Sequence, residues 1–177
     1  MIGLNGLADI YYRAEQWHPA LANLKRAEEM GETLRHKSYL LFTLRNIARV
    51  YLRLYGAFSH ELSLTVMSME KLLDEISGMG DNWSIQWAQN TLATVYAHRK
   101  DIHQLEKLTQ NFRPNGDNLK ESRVYTLANL GHLASLKNDY PLANQYYTDA
   151  FTMCKNMNYN FALKELKDDL RGVARRK

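Results

Sequence analysis

Leu130-Gly131-His132-Leu133-Ala134-Ser135-Leu136-Lys137-Asn138-Asp139-Tyr140-Pro141-Leu142-Ala143-Asn144-Gln145-Tyr146-Tyr147-Thr148-Asp149-Ala150 reads as two amphipathic helices joined by a tight turn. Leu130-Gly131 sits in the first helix. Asp139, with Pro141 in the first turn, opens the second. Ala143, Tyr147 and Ala150 then recur at helical spacing on one face. Small residues at Gly131 and Ala143 let the paired helices approach closely. A large side chain at either position would force them apart, at a cost of about 1–3 kcal/mol typical of overpacking.

The pattern recurs along the chain. Leu7-Ala8, Tyr11, Trp17, Ala20, Leu24 and Ala27 form a first copy. Ile47-Ala48 and Tyr51 begin a second, whose later half offers only Leu64 and Met67. Leu92-Ala93, Tyr96, Leu105 and Phe112 make a third, in which Thr109 fits the large apolar slot poorly. The Leu-like slot falls at 7, 47, 92 and 130, spacings of 40, 45 and 38 residues. Nine helices follow from the periodicity, over 3–14, 17–30, 33–55, 59–77, 82–99, 101–112, 118–137, 139–156 and 159–175. Asn118 with Glu121 resembles a capping box. Gly31, Gly56, Gly78, Gly80 and Gly116 fall at expected helix ends, where glycine is a natural stop. In the ninth helix Phe161, Leu163, Leu166, Leu170 and Val173 lie on one side. Lys164, Glu165, Lys167, Asp168 and Asp169 lie largely on the other.

The Leu-Gly, aromatic, Ala-x-x-x-aromatic order resembles the tetratricopeptide repeat. The resemblance covers nearly the whole chain and implies an all-α, right-handed solenoid. It would have four helical hairpins (1–31, 33–78, 82–113, 118–156) in a single domain over 1–177, closed by a capping helix at 159–175. The long repeats are similar to those of bacterial peptide-sensing regulators of the Rap, PlcR and NprR group and of MalT-like regulators. Under that likeness the chain is the sensor part of a longer regulator, which agrees with its abrupt start at the first slot of a repeat. The resemblance implies first a non-enzymatic scaffold that binds a protein or peptide in a concave groove; the regulator's sensor domain is the alternative, and self-assembly as a homodimer through the N-terminal end a second.

Composition narrows the function. Apolar residues make up 45% of the chain and charged residues 24%, ordinary values for a globular protein of 177 residues. A single cysteine, Cys154, excludes an intrachain disulfide. No signal peptide and no run of apolar residues of membrane-spanning length is present, so a cytoplasmic protein without a membrane partner is expected. The net charge of +4 equals the four cations Arg171, Arg175, Arg176 and Lys177 at the C-terminus. That clustering argues against nucleic acid as the partner of this chain. A solvated helix end explains it, complementing the helix dipole.

No catalytic motif, cofactor-binding loop or metal-ligand spacing is present, so a non-enzymatic protein without cofactor is expected. The six histidines are scattered, and Cys154 has no His-plus-acid partner nearby in sequence. Glu70, Asp74 and Glu75 read as a solvated face.

What remains is a surface. In the family the first helices line a concave groove. That implies Asn5, Asp9, Tyr12 and Arg13, then Arg45, Asn46, Arg49 and Arg53. It also implies Trp87, Asn90, Thr94, His98, Tyr125, Asn129 and His132. Arg45, Arg49 and Arg53 stand four apart on one helix face. Either they are neutralised by Asp9 or neighbouring glutamates, or they hold a carboxylate or phosphate, whose geometry suits the guanidinium fork. Asn46, Asn90 and Asn129 add amides able to hold a peptide backbone, and Trp87 and Tyr125 could anchor a partner. The expected partner is therefore a protein or peptide, an acidic one if the stripe is not neutralised within the chain. The family's chaperone-tail clamp is a poor match: Asn46 fits it, but Asp9, Trp87 and Thr91 do not.

Overall fold

A computed structural model describes residues 2–76, 82–110, 112 and 120–174. Among them the chain forms nine α-helices and no strand. These are α1 (Ile2–Arg13), α2 (Trp17–Thr33), α3 (Lys37–Tyr55), α4 (His60–Ile76), α5 (Asn82–Arg99), α6 (Ile102–Thr109), α7 (Lys120–Leu136), α8 (Tyr140–Asn156) and α9 (Asn160–Ala174). The expected spans agree to within a few residues. Gly78, Gly80, Gly116, the Asn118 start and the last residues of the tail lie outside the described residues.

Five turns share one main-chain construction. Glu15, Arg35, Lys100, Asn138 and Asn158 all take positive φ, between 52° and 65°. After each, the next amide reaches back five residues: Gln16 to Tyr11, His36 to Gly31, Asp101 to Tyr96, Asp139 to Ala134 and Tyr159 to Cys154, at 2.8–3.1 Å. The positive-φ residue itself donates three residues back, as Asn138 does to Ser135 at 3.1 Å. This pair of bonds closes the last carbonyls of the helix in the manner of a Schellman motif. The following helix then starts at once, in three of the five turns with a side-chain cap. His36 accepts from the amide of Tyr39, Asp101 from Gln104 and Asp139 from Leu142, at 3.1–3.2 Å. Asp139→Ala should cost about 1 kcal/mol. Faster amide exchange in the first turn of α8 would register it.

Glycine does less stopping than expected. Gly56 does end α3, at φ 82°. Gly31 lies inside α2, which runs on to Thr33. It is buried, and a Cβ there would meet the Tyr39 ring at 3.2 Å. Its smallness serves the approach of α3.

From α1 to α4, and again from α6 to α9, each helix packs on the next in sequence. α1 contacts α2 and α3, α3 contacts α4, and α7 contacts α6, α8 and α9. The chain packs as two compact units, Met1–Thr91 and Leu92–Lys177, the division falling within α5. The small slots are buried as expected: Ala8, Ala20, Ala27 and Ala48 in the first unit, Ala93, Ala143 and Ala150 in the second.

Two expected faces need correction. In α4, Leu64 and Met67 are 51% and 64% exposed. Leu62, Thr65, Val66, Met69, Leu72 and Ile76 are the buried set. In α9 the acids are not all on the solvent side: Glu165 and Asp169 are buried beside Ala162 and Leu166. Thr109 also fits better than its type suggests, because its hydroxyl donates to the Leu105 carbonyl at 2.8 Å and enters the core satisfied.

Candidate functional site

The arginine stripe lies on α3, in the first unit, and aromatic rings help to hold it. The Arg45 guanidinium carbon sits 4.5 Å from the centre of the Trp87 ring and 5.8 Å from that of Phe42. That of Arg49 lies 4.2 Å over the Tyr12 ring. Arg53 Nε donates to the Tyr12 hydroxyl at 3.5 Å. Tyr12 is fixed in turn by edge contact with Trp17, ring centres 5.0 Å apart. Stacking of this kind contributes about 0.5–2 kcal/mol per pair and offsets the repulsion between like charges spaced four residues apart. Asp9, one of the acids weighed as neutralising the stripe, pairs with Arg13 at 2.6 Å.

A polar chain runs beside the stripe and joins α3 to α1. Arg45 Nη1 donates to Asn46 Oδ1 at 2.7 Å, and Asn46 Nδ2 to Asn5 Oδ1 at 3.2 Å. Asn5 Nδ2 donates to Thr43 Oγ1 at 3.0 Å, and Thr43 Oγ1 to the Tyr39 carbonyl at 2.9 Å. Asn5 and Thr43 are buried, Asn46 partly so. A recess with room for about one water molecule opens beside Asn46. It is lined by Ala8, Asp9, Tyr12, Leu24, Asn46, Arg49 and Val50.

The second unit holds a separate buried polar cluster. Thr94 Oγ1 donates to Asn129 Oδ1 at 3.1 Å. The Tyr125 hydroxyl donates to Glu165 Oε2 at 2.6 Å. His98 Nε2 lies 3.4 Å from Asp169 Oδ1. The Tyr147 hydroxyl and His132 Nδ1 are 3.0 Å apart. Burial holds the His132 imidazole down to about 4, against the pull of Asp169 and with a further push from His98. The ring is therefore neutral at physiological pH, which lets its Nδ1 accept from Tyr147. Burial also raises the Tyr147 hydroxyl above its ordinary value.

The residues expected to line one groove thus differ in access. Asn46, Arg49 and Arg53 are partly exposed. Arg45, Trp87 and Asn90 are buried in the first unit, and Tyr125, Asn129 and His132 in the second. Arg13 is exposed and Thr94 partly so. Phe42, Thr43, Glu165 and Asp169 carry parts of these networks without having stood out in the sequence. Phe42 lies three residues before Arg45, so helical spacing could have paired them. Glu165 and Asp169 read as solvated for want of any knowledge of what covers α9.

Burial lifts the Cys154 thiol up to about 11, so it carries no thiolate at neutral pH. Among the described residues no group of three or more His, Cys, Asp or Glu side chains could hold a metal ion. Among them too, no helix is long and apolar enough to cross a membrane. Of the basic tail, Arg171 lies 3.6 Å from Asp168, and Arg175, Arg176 and Lys177 lie outside the described residues. No protein-family model matches the chain, and no curated protein sequence matches it.

Proposed function

We propose that the protein is a non-enzymatic binding module of tetratricopeptide type, a right-handed solenoid of helical hairpins that takes an acidic peptide segment along the Arg49–Arg53 face of α3. The solenoid reading is supported by the five like turns, by the buried small slots, and by packing of α1 and α7 each on the next helix and the one after. The binding reading rests on one observation, a partly exposed arginine pair seated on Tyr12 beside the Asn46–Asn5 amides.

Stacking engages the flat face of a guanidinium, whereas carboxylate recognition uses its N–H edge. Ring and acid therefore do not compete, and the ring fixes the orientation of the fork in advance. Such preorganisation reduces the ordering cost of binding. Asn46, already oriented by Arg45 and Asn5, lies one turn away and could meet a backbone amide of the same segment.

The test is a titration with a labelled acidic peptide, alongside the same peptide with Gln and Asn for Glu and Asp. The acidic form should bind more tightly, and added salt should weaken it. Arg49→Glu should reduce affinity about 10- to 100-fold, as expected for losing one charge-assisted hydrogen bond worth about 1.5–3 kcal/mol. Its helical signal should persist. Equal binding of the acidic and amide peptides would reject the carboxylate reading.

A further inference from the structure

The face that α9 turns to the rest of the second unit is unusual for a helix that merely caps an apolar core. It buries Glu165 and Asp169, one turn apart, at 7% and 5% exposure, alongside Ala162 and Leu166. Removing two carboxylates from water carries a large penalty that good partners only partly offset. Apolar replacement of such buried charged groups is often neutral or stabilising. Among their neighbours, the Tyr125 hydroxyl of α7 donates to Glu165, and His98 of α5 lies beside Asp169, Nε2 to Oδ1 3.4 Å, with His132 within electrostatic reach of Asp169. The result is a surface that meets two acids on a helix by position. A short joint connects α9 to α8, closed by main-chain bonds around Asn158 at φ 53°.

We propose that the surface of α5 and α7 carrying His98, Tyr125 and His132 is a receptor for a helix bearing two carboxylates one turn apart, filled by the chain's own α9 and able to accept the α9 of a second copy. A second copy is the chosen occupant because its α9 presents the same acids at the same spacing. Exchange reuses every contact already formed and needs no new complementarity. This proposal is independent of the arginine face of the first unit.

Three measurements on the full chain test it. Amide exchange should show α9 opening while α7 and α8 stay protected; exchange of α9 only through global unfolding would overturn the proposal. A labelled peptide of residues 159–174 should bind a Glu165→Gln/Asp169→Asn full-chain variant about tenfold more tightly than the unaltered chain, whose own α9 competes. Adding Tyr125→Phe should remove that gain, and so should Gln and Asn at the two acidic positions of the peptide. Binding indifferent to Tyr125 and to the acids, or no binding, would overturn the receptor. Sedimentation should show a dimer growing with concentration and dispersed by the peptide. Peptide binding without a dimer at any concentration would overturn the second copy as occupant and leave a helix of another protein in its place.

Discussion

Gly131→Ala is expected to destabilise the α7–α8 hairpin by about 1–3 kcal/mol, although alanine is the better helix former. A Cβ at Gly131 would lie 2.5 and 2.7 Å from two carbons of the Tyr147 ring and 3.0 Å from a third. The ring cannot simply swing aside, because its hydroxyl is bonded to the buried His132. Either that bond breaks or the helices separate. Chemical denaturation, with amide exchange to localise the loss, would measure the effect. The control carries the opposite sign. In a Tyr147→Ala background the same change at Gly131 should stabilise by up to about 1 kcal/mol, the helix-propensity gain. Stabilisation of the unaltered chain would mean that the ring yields and the close approach sets no constraint.

Acid should weaken the second unit through His132. Its folded-state value, about 4, is depressed below the ordinary 6.5 by burial. The unfolded chain therefore takes up the proton first. The stabilisation is fully present above about pH 6.5 and declines as the pH falls. It is lost by about pH 4, and amounts to roughly 3 kcal/mol in full. Between about pH 7 and about pH 4.5 the loss is about 2 kcal/mol. Glu165 and Asp169 are buried carboxylates in the same cluster, so the diagnostic quantity is the difference between the unaltered chain and His132→Gln. The glutamine variant retains an amide acceptor for Tyr147 and should show a pH dependence flatter by about that amount. Parallel pH profiles would remove His132 as the source.

The helices were legible because their apolar residues keep a helical period and their turns fall where it lapses. The small slots at Ala8, Ala48, Ala93 and Gly131 were legible too, since close approach leaves a mark in residue size. The lining of the site was not. Along α7, Ser122, Val124, Tyr125, Thr126, Leu127, Ala128, Asn129, Gly131, His132 and Ala134 are all buried. A helix covered on more than one side has no apolar stripe, so periodicity cannot show which side chains reach solvent. Glu165 and Asp169 were hidden for a related reason. An acid is buried only where a partner waits, and Tyr125 and His98 are about 40 and 70 residues away in sequence. Arg49 was found by its spacing, but its seat on Tyr12 comes from packing of α1 on α3.

The turns at Glu15, Arg35, Lys100, Asn138 and Asn158 are closed by main-chain hydrogen bonds, and all five side chains are exposed. Their letters can therefore drift without moving the scaffold, provided the left-handed backbone is tolerated. Three of them already hold long charged side chains where glycine would be the easiest choice. The protein's external field is thus adjustable separately from its framework. Exchanging Arg35 and Lys100 for glutamate would take the net charge from +4 to zero while leaving every turn-closing bond in place. An engineer seeking to retune its encounters with charged molecules would begin at these corners and leave the helices alone.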